Sequence, residues 1–408
     1  MHKEAMRSSN GRRRWVMLRT IWIVALAAGI ASFGVCARER VGPDPVQSII
    51  LMIGDGMGVG QIEAARRASV GQNGRLAMDE LAVQDGWART ADSTGAVTDS
   101  AASGTAIATG RKTRNGRVGV DASGQSLVTI LELAQEAGKS VGLVTTVPLY
   151  HATPAVFASH VPSRYYYDRI AQQVFDADVD VLLGGGAESF FPLWETCACG
   201  WSGVRGDGRN FIEEAIDRGV AFVCDSEGLG ALDLATVDRL LGLFAEEEML
   251  RPLTPTLEEM TVAAIEVLSQ DPEGFFLMVE GGLIDWVCHS NDAAASIELT
   301  IGFDRAVDAA AAFARDNGET LLIVTADHET GGMSVSETET GHFREDGPIE
   351  AADGMEFFVE WLHTDHTGAD VPVRADGPFA ERFSGTYENT RLFELMVEAF
   401  GFDLPMDE

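Results

Sequence analysis

The segment Ser48–Gly58, SIILMIGDGMG, indicates the fold class of this chain. Its first six residues form an almost wholly apolar run, which is typical of a strand buried on both faces of a parallel sheet. The glycines that follow let the backbone turn tightly and leave the carboxylate of Asp55 bare at the end of the strand. An aspartate that only stabilises the turn is the alternative. The segment therefore predicts a parallel sheet with Asp55 at its edge.

The same pattern recurs along the chain, where apolar runs alternate with stretches of helical periodicity. The further predicted strands are Val141–Val147, Val179–Leu183, Phe275–Val279 and Leu321–Val324. The predicted helices are Leu127–Ala137, Arg164–Phe175, Leu257–Ser269, Ala293–Arg315 and Asn389–Ala399. This alternation predicts an α/β fold with a doubly wound, largely parallel central sheet and helices on both faces. Residues 41–408 are interpreted as a single domain with surface insertions near 187–210 and 333–365.

Polar residues follow the predicted strands at the points where the strands end. In open α/β sheets, ligands bind at the carboxyl ends of the strands. Capping or turn formation could explain any one of these residues, but it explains the whole set poorly. We therefore expect a functional site formed by Asp55, Thr153, Glu280, Asp285, Asp327 and His328.

The segment Val97–Gly110, VTDSAASGTAIATG, predicts a helix whose first turn is built from small residues. Ser100 would lie at the start of this helix, where backbone N–H groups and the helix dipole stabilise an anion or a serine alkoxide. That environment suits a nucleophile that attacks a phosphate. The alternative is that Asp99 or Ser100 is only an N-cap with a small-residue packing face behind it.

Two carboxylate–imidazole pairs have the spacing of metal ligands. Asp285 and His289 lie four residues apart, so they share one face of a helix, and Asp327 is followed directly by His328. Oxygen and nitrogen ligands of this kind are typical of catalytic zinc. His366 could complete one site and Asp55 the other. Three other histidines beyond the N-terminal segment have no such partner in sequence and are interpreted as surface or core residues: His160, His342 and His363.

Residues 1–37 differ in composition from the rest of the chain. Six basic residues precede an uncharged run from Thr20 to Val35, which indicates a signal peptide, with an uncleaved or lipid-attached membrane anchor as the alternative. We therefore expect a periplasmic or secreted protein. The formal net charge of −33 argues against nucleic acid as a partner and requires a local positive site for any anionic substrate. In an exported protein, a disulfide from Cys197 or Cys199 to Cys224 is plausible.

Several motifs together resemble the bacterial alkaline phosphatases of the alkaline phosphatase superfamily. In order they are IGDGMG, TDSAASGTAIATG, HATPAVFASHVPSR, VEGGLIDWVCH, TADHETGG and HTG, and they span nearly all of the mature chain. The resemblance implies a metal-dependent phosphomonoesterase that forms a phosphoserine intermediate and releases inorganic phosphate. It also implies a homodimer.

The resemblance further implies a role for each matching residue. Ser100 would be the nucleophile and Arg164 the phosphate clamp. One zinc ion would be bound by Asp285, His289 and His366, and the other by Asp55, Asp327 and His328, beside Ser100 as a minor ligand. A magnesium ion would be bound by Asp55, Thr153 and Glu280. Where one well-known version of the family has Asp and Lys, this chain has His151 and Trp286, which we place in the outer shell of the magnesium site.

Two alternatives to a phosphomonoesterase remain. A phosphodiesterase of the same superfamily would gain less from Arg164, because a diester has fewer free oxygens for a bidentate arginine. A non-catalytic exported zinc-binding protein would not need both Ser100 and Arg164. A sulfatase would need a C/S-x-P-x-R motif, but Ser100 is followed by Ala-Ala-Ser.

Overall fold

A ten-stranded sheet forms the centre of the molecule, which a computed structural model describes over residues 45–197 and 199–404. All described residues belong to one compact unit. The expected signal peptide, residues 1–37, lies outside the described residues. The strands of this and two smaller sheets are β1 (Ser48–Ile53), β2 (Val83–Arg89), β3 (Ser140–Pro148), β4 (Val181–Gly185), β5 (Ala221–Val223), β6 (Leu240–Leu243), β7 (Phe275–Glu280), β8 (Thr320–Thr325), β9 (Glu329–Thr330), β10 (Ser334–Ser336), β11 (Glu345–Glu350), β12 (Glu356–Glu360), β13 (His366–Thr367), β14 (Val371–Asp376) and β15 (Gly385–Glu388).

The order of strands in the central sheet is β15-β2-β14-β8-β1-β7-β3-β4-β6-β5. β14 runs antiparallel to both of its neighbours, and the other neighbouring pairs are parallel. All residues of β1, β7 and β8 are buried, as the apolar runs in their sequences predict. The predicted α/β fold with a largely parallel sheet is therefore confirmed.

Helices surround the sheet, and side-chain N-caps fix several of their starts. They are α1 (Val59–Val70), α2 (Ser100–Thr109), α3 (Ile130–Glu136), α4 (Ala152–Ala158), α5 (Tyr167–Asp176), α6 (Phe211–Asp217), α7 (Ser226–Ala231), α8 (Leu257–Leu268), α9 (Leu283–His289), α10 (Ala293–Asn317) and α11 (Thr390–Phe400). Asp99 caps α2, where its side chain accepts a hydrogen bond from the Ala102 amide. Thr256 caps α8 in the same way. Within the described part of the chain, none of the helices has the length and apolarity needed to cross a membrane.

Two predicted helices begin later than their sequences indicate. The predicted helix Arg164–Phe175 is wrong at its start, because α5 begins at Tyr167. The Arg164 amide donates to the carbonyl of Gly116 instead of entering a helix, with an N···O distance of 2.7 Å, so Arg164 lies in the loop before α5. The predicted helix Leu127–Ala137 likewise begins only at Ile130, after the N-cap Thr129.

The two regions interpreted as surface insertions have different structures. Residues 187–191 begin with a short 3-10 helix and are mostly buried, because Phe190 and Phe191 pack in the core. The disulfide Cys199–Cys224 links this region to the end of β5. It corresponds to one of the two pairings that the sequence predicts. Residues 333–365 contain the small antiparallel sheet β10-β12-β11, which buries Trp361 beside it.

Candidate active site and metal centre

The central strands bring the predicted polar residues to one rim of the sheet. Strands β8, β1, β7 and β3 are parallel neighbours, so their carboxyl ends lie side by side. We call the group of residues at this rim the rim cluster: Asp55, Ser100, Thr153, Glu280, Asp285, His289, Asp327, His328 and His366. All but His289 and His366 are buried. The fold thus brings to one rim the residues that the sequence predicts as metal ligands.

Asp55, Asp327 and His328 form the first group of ligand atoms within the rim cluster. The Nε2 atom of His328 lies 3.4 Å from Oδ1 of Asp55 and 3.5 Å from Oδ2 of Asp327. Oγ of Ser100 lies 3.3 Å from the same nitrogen. Ser100 is the first residue of α2, so its hydroxyl lies at the positive end of that helix.

Asp285, His289 and His366 form the second group. Nε2 of His289 lies 3.3 Å from Oδ2 of Asp285, and Nε2 of His366 lies 3.5 Å from Oδ1. The two Nε2 atoms are 3.1 Å apart. Ligand atoms at tetrahedral corners around zinc, at about 2.0–2.1 Å from the ion, would lie about 3.3 Å from one another. The distances given for both groups are close to this spacing.

The three imidazoles of these groups all direct Nε2 toward the rim cluster. The Nδ1 atom of His289 lies 2.5 Å from the carbonyl oxygen of Thr364, and that of His366 lies 2.8 Å from the carbonyl oxygen of Thr98. A carbonyl oxygen only accepts, so Nδ1 carries a proton in both rings, and Nε2 offers a lone pair when the ring is neutral. Two lone pairs that face each other at 3.1 Å repel unless a proton or a cation lies between them.

A third group of potential ligand atoms also includes Asp55. Asp55, His151 and Glu280 each place one potential ligand atom within 4.8 Å of the others. The side chain of Thr145, on the neighbouring strand β3, donates a hydrogen bond to Glu280. The ring of Trp286 packs edge-on against that of His151, with 5.5 Å between the ring centroids. His151 therefore lies at the third group itself, closer than the outer-shell position that the sequence suggested.

Arg164 completes the site with a cation. Its guanidinium donates to Asp99 over 3.1 Å, and its other terminal nitrogen lies 2.9 Å from Nε2 of His151. Burial lowers the pKa of Arg164, but the charge and hydrogen bond of Asp99 outweigh this effect and raise it. Arg164 is thus always charged and is held on both sides, as a residue that clamps an anion should be.

The rim cluster lacks the hydrogen-bond partners that buried polar atoms normally have. Among the described residues, its buried atoms without a partner include both carboxylate oxygens of Asp55, Oγ1 of Thr153, Oε1 of Glu280, Oδ2 of Asp327 and, beside it, Nδ1 of His151. Unsatisfied buried polar groups are rare in native proteins, and each costs about 1–3 kcal/mol. Their convergence on one place fits bound metal ions.

The pKa values of Asp55 and Glu280 support the same interpretation. Burial, followed by the charges of Asp327 and Asp285, raises the pKa of Asp55 well above its usual value. Burial raises the pKa of Glu280 to about 7, against the hydrogen bond from Thr145. Burial would raise the pKa of Asp285 as well, but the hydrogen bond with His289 outweighs it and lowers that pKa. The hydrogen bond with Asp285 raises the pKa of His289 to about 9. The cluster therefore needs protons or cations, and divalent ions would displace these protons.

Two threonines of the site were missed by the sequence analysis. Thr145 contacts Glu280, and Thr330 contacts both Asp285 and His328. Thr330 lies within the motif TADHETGG, two residues after His328, so its position in a ligand-bearing segment was the available signal. Thr145 gave no such signal, because it is one residue of a buried strand.

Comparisons with known proteins agree with this geometry. The family model described as alkaline phosphatase matches residues 46–360, more than half of the chain. Alkaline phosphatase 4 of Bacillus subtilis is 34% identical, over 85% of this chain and 87% of its own length. Streptomycin-6-phosphate phosphatase of Streptomyces griseus is 37% identical, over 97% of this chain and 100% of its own length.

Solved structures give the same result. Alkaline phosphatase from the Antarctic bacterium TAB5 superimposes with a TM-score of 0.75 and 29% identity, over 88% of this chain and 99% of that one. A variant of the TAB5 enzyme with a histidine replaced by aspartate, with magnesium bound in its M3 site, superimposes with a TM-score of 0.73 over the same shares of the two chains. The chain therefore belongs to the alkaline phosphatase family, whose members are metal-dependent phosphatases.

Proposed function

We propose that this phosphatase is an exported phosphomonoesterase that transfers the phosphoryl group of a monoester to Ser100 and then to water. Zinc ions would be bound by Asp285, His289 and His366 and by the group of Asp55, Asp327 and His328. The observation that carries the proposal is the position of the Ser100 hydroxyl, 3.3 Å from His328 Nε2, at the edge of buried acids without partners. When bound, the zinc ions would lower the pKa of the serine hydroxyl and stabilise the alkoxide that leaves.

The residues of the chain account for the two steps. In the first, Ser100 Oγ forms a bond to phosphorus, the bond to the leaving oxygen breaks, and the leaving alcohol takes up a proton. In the second, water attacks the phosphoserine, Ser100 recovers its proton and inorganic phosphate is released. The N-terminus of α2 stabilises negative charge on the serine oxygen in both steps.

Arg164 supports monoesters as the substrate class. Its two terminal nitrogens contact Asp99 and His151, which orient the guanidinium, and a guanidinium fork can hold two free oxygens of a phosphate dianion. In a diester, one of those oxygens carries a second ester group. A phosphodiesterase is therefore the weaker alternative.

The third group would hold magnesium between Asp55, Thr153 and Glu280. His151 brings an imidazole to this group, and imidazole prefers zinc to magnesium. Magnesium bound in the M3 site of the TAB5 variant with the histidine replaced by aspartate supports the idea that a carboxylate favours magnesium there. We therefore expect activity to depend on added Mg²⁺ and excess Zn²⁺ to inhibit.

A double variant tests the role of the third group. His151→Asp with Trp286→Lys should bind magnesium about 10-fold or more tightly than wild type, because an added carboxylate holds the hydrated ion more firmly. Titration of Mg²⁺ and Zn²⁺ against activity measures the change. Equal magnesium dependence of the two proteins would remove both side chains from control of the third metal.

Export and homodimer formation are also part of the proposal. The basic and then apolar segment 1–37 supports export, as does the disulfide Cys199–Cys224, because disulfides persist in oxidising compartments. The family resemblance supports a homodimer, which light scattering would detect. Fractionation of expressing cells tests export, and an active protein confined to the cytoplasm would contradict it.

The activity itself is tested by comparing p-nitrophenyl phosphate with its bis-ester. We expect hydrolysis of the monoester to be faster by orders of magnitude, to be lost after chelation and to return with zinc and magnesium. Faster hydrolysis of the bis-ester would support the phosphodiesterase. Zinc binding without either activity would support the non-catalytic alternative.

A further inference from the structure

Thr330 is a buried residue whose hydroxyl contacts both groups of zinc ligands. Its Oγ1 lies 2.5 Å from Oδ1 of Asp285 and 3.2 Å from Nδ1 of His328. The residue is entirely buried. A hydroxyl has one proton to donate and two lone pairs that accept. Because a carboxylate only accepts, Thr330 donates to Asp285 and accepts from the N–H of His328.

His328 differs from the other two imidazoles in what holds its ring. Backbone carbonyls hold Nδ1 of His289 and of His366, and those carbonyls are present whatever the side chains are. The acceptor for Nδ1 of His328 is the side chain of Thr330. The tautomer that leaves Nε2 of His328 free therefore depends on a single hydroxyl.

The backbone around Thr330 fixes this hydroxyl between the segments that carry the ligands. The Thr330 amide donates to the carbonyl of Gly56 over 3.1 Å, and Thr330 pairs with His366 where β9 meets β13. Gly56 has a φ of +67°, and a Cβ atom there would lie only 2.7 Å from Thr330 Oγ1. The hydroxyl is thus packed against the turn after Asp55 as well.

We infer that Thr330 is a positioning residue that couples the two zinc groups, by fixing the orientation of the Asp285 carboxylate and the tautomer of His328 through one hydroxyl. The inference rests on the proposed zinc sites. Loss of the Thr330 hydroxyl would weaken binding of both zinc ions together, although Thr330 itself binds neither ion. Loss of a side chain that holds a metal ligand typically lowers affinity about 10- to 100-fold.

The test measures zinc affinity in variants that differ by the hydroxyl alone. Thr330→Val removes the hydroxyl at nearly constant shape, and Thr330→Ser retains it. The matched control is Thr261→Val, because Thr261 is equally buried but its hydroxyl donates only to the carbonyl of Leu257 in its own helix. Zinc-loaded proteins are titrated with a chromogenic chelator, and Co²⁺-substituted proteins report ligand geometry through their visible spectra.

We expect wild type, Thr330→Ser and Thr261→Val to hold two tightly bound zinc ions. Thr330→Val should lose affinity for both ions about 10- to 100-fold, with an altered cobalt spectrum. Wild-type affinity for both ions, or weakening of one ion only, would overturn the inference. If metal-free Thr330→Val does not fold, Thr330→Ala against Thr330→Ser gives the same comparison. A wild-type protein that takes up no zinc would overturn the proposed zinc sites as well.

Discussion

Two clusters of charged residues in this protein, one buried and one half-buried, differ in how their acids are partnered. In the arginine cluster, which consists of Glu63, Arg66, Asp79, Asp304 and Arg374, the carboxylates lie against guanidinium groups or backbone amides. Arg66 Nε lies 2.8 Å from Asp79, and Arg374 lies 3.1 Å from it on another side. In the rim cluster, acids lie against one another, and Asp55 has no hydrogen-bond partner on either oxygen.

The pKa values of the two aspartates reflect this difference. Burial opposes ionisation of Asp79, but the hydrogen bond from Arg66 outweighs it and lowers the pKa. Burial and neighbouring acids instead raise the pKa of Asp55. The chain places guanidinium groups directly against Asp79, whereas Arg164 beside the rim cluster donates to Asp99 and leaves the oxygens of Asp55 without a hydrogen-bond partner. The buried oxygens of Asp55 that lack hydrogen-bond partners therefore indicate a site that takes its cations from solution.

The largest expected effect follows from removal of the proposed nucleophile from the rim cluster. Ser100→Ala should lower activity by about three orders of magnitude or more, the scale expected for a covalent nucleophile. Zinc content and the urea midpoint should match wild type, because Ser100 is at most a minor ligand. Steady-state kinetics and zinc analysis measure these quantities. Retention of most of the activity would remove Ser100 from the mechanism.

The arginine cluster should respond in the opposite way. Asp79→Asn should destabilise the protein by about 2–3 kcal/mol, since it removes the charge of the acid that pairs with two half-buried guanidinium groups. The kcat of the folded enzyme should not change. Urea unfolding and steady-state kinetics separate the two effects. A fall in kcat at unchanged stability would contradict the division into a structural cluster and a functional cluster.

Arg164→Ala should weaken phosphate binding more than it slows the chemical step. The guanidinium would hold two oxygens in the ground state and transition state alike, and its loss should raise the inhibition constant of inorganic phosphate about 10- to 100-fold. Arg164→Lys is the matched control, because lysine keeps the positive charge but lacks the paired N–H groups that bind two oxygens at once. An unchanged inhibition constant in both variants would place Arg164 outside the phosphate site.

The smallest expected effect is on stability and concerns His160, which forms a hydrogen bond with the carboxylate of Glu132. Burial lowers the pKa of His160, but the hydrogen bonds to Glu132 and the Gly119 carbonyl outweigh this and raise it. A raised pKa stabilises the fold below about pH 6.5, and that contribution disappears as the pH rises through the folded-state value. His160→Gln should therefore cost about 0.5–1 kcal/mol near pH 6 and less near pH 9. A cost in urea unfolding that grows with pH would contradict this assignment.

The amino-acid sequence predicts those strands and ligands that a simple pattern of residue types identifies. Buried strands such as β1 and β8 are continuous apolar runs, so they were predicted. β2 and β14 were missed, because VQDGWAR has polar residues at exposed positions and VPVRAD contains a proline. The ligands of the rim cluster follow predicted strands or lie at helical spacing. The roles of Thr145 and Thr330 were not predicted, because their hydrogen bonds to Glu280 and Asp285 join residues that are 135 and 45 positions apart in the chain.

The most direct test of the central claim is a crystal structure of the zinc-loaded protein with anomalous diffraction data collected on both sides of the zinc absorption edge. We expect one zinc peak among Asp285, His289 and His366, a second among Asp55, Asp327 and His328, and none in the arginine cluster. An absence of zinc peaks in the rim cluster of an active enzyme would contradict the claim that its unpartnered acids take their cations from solution.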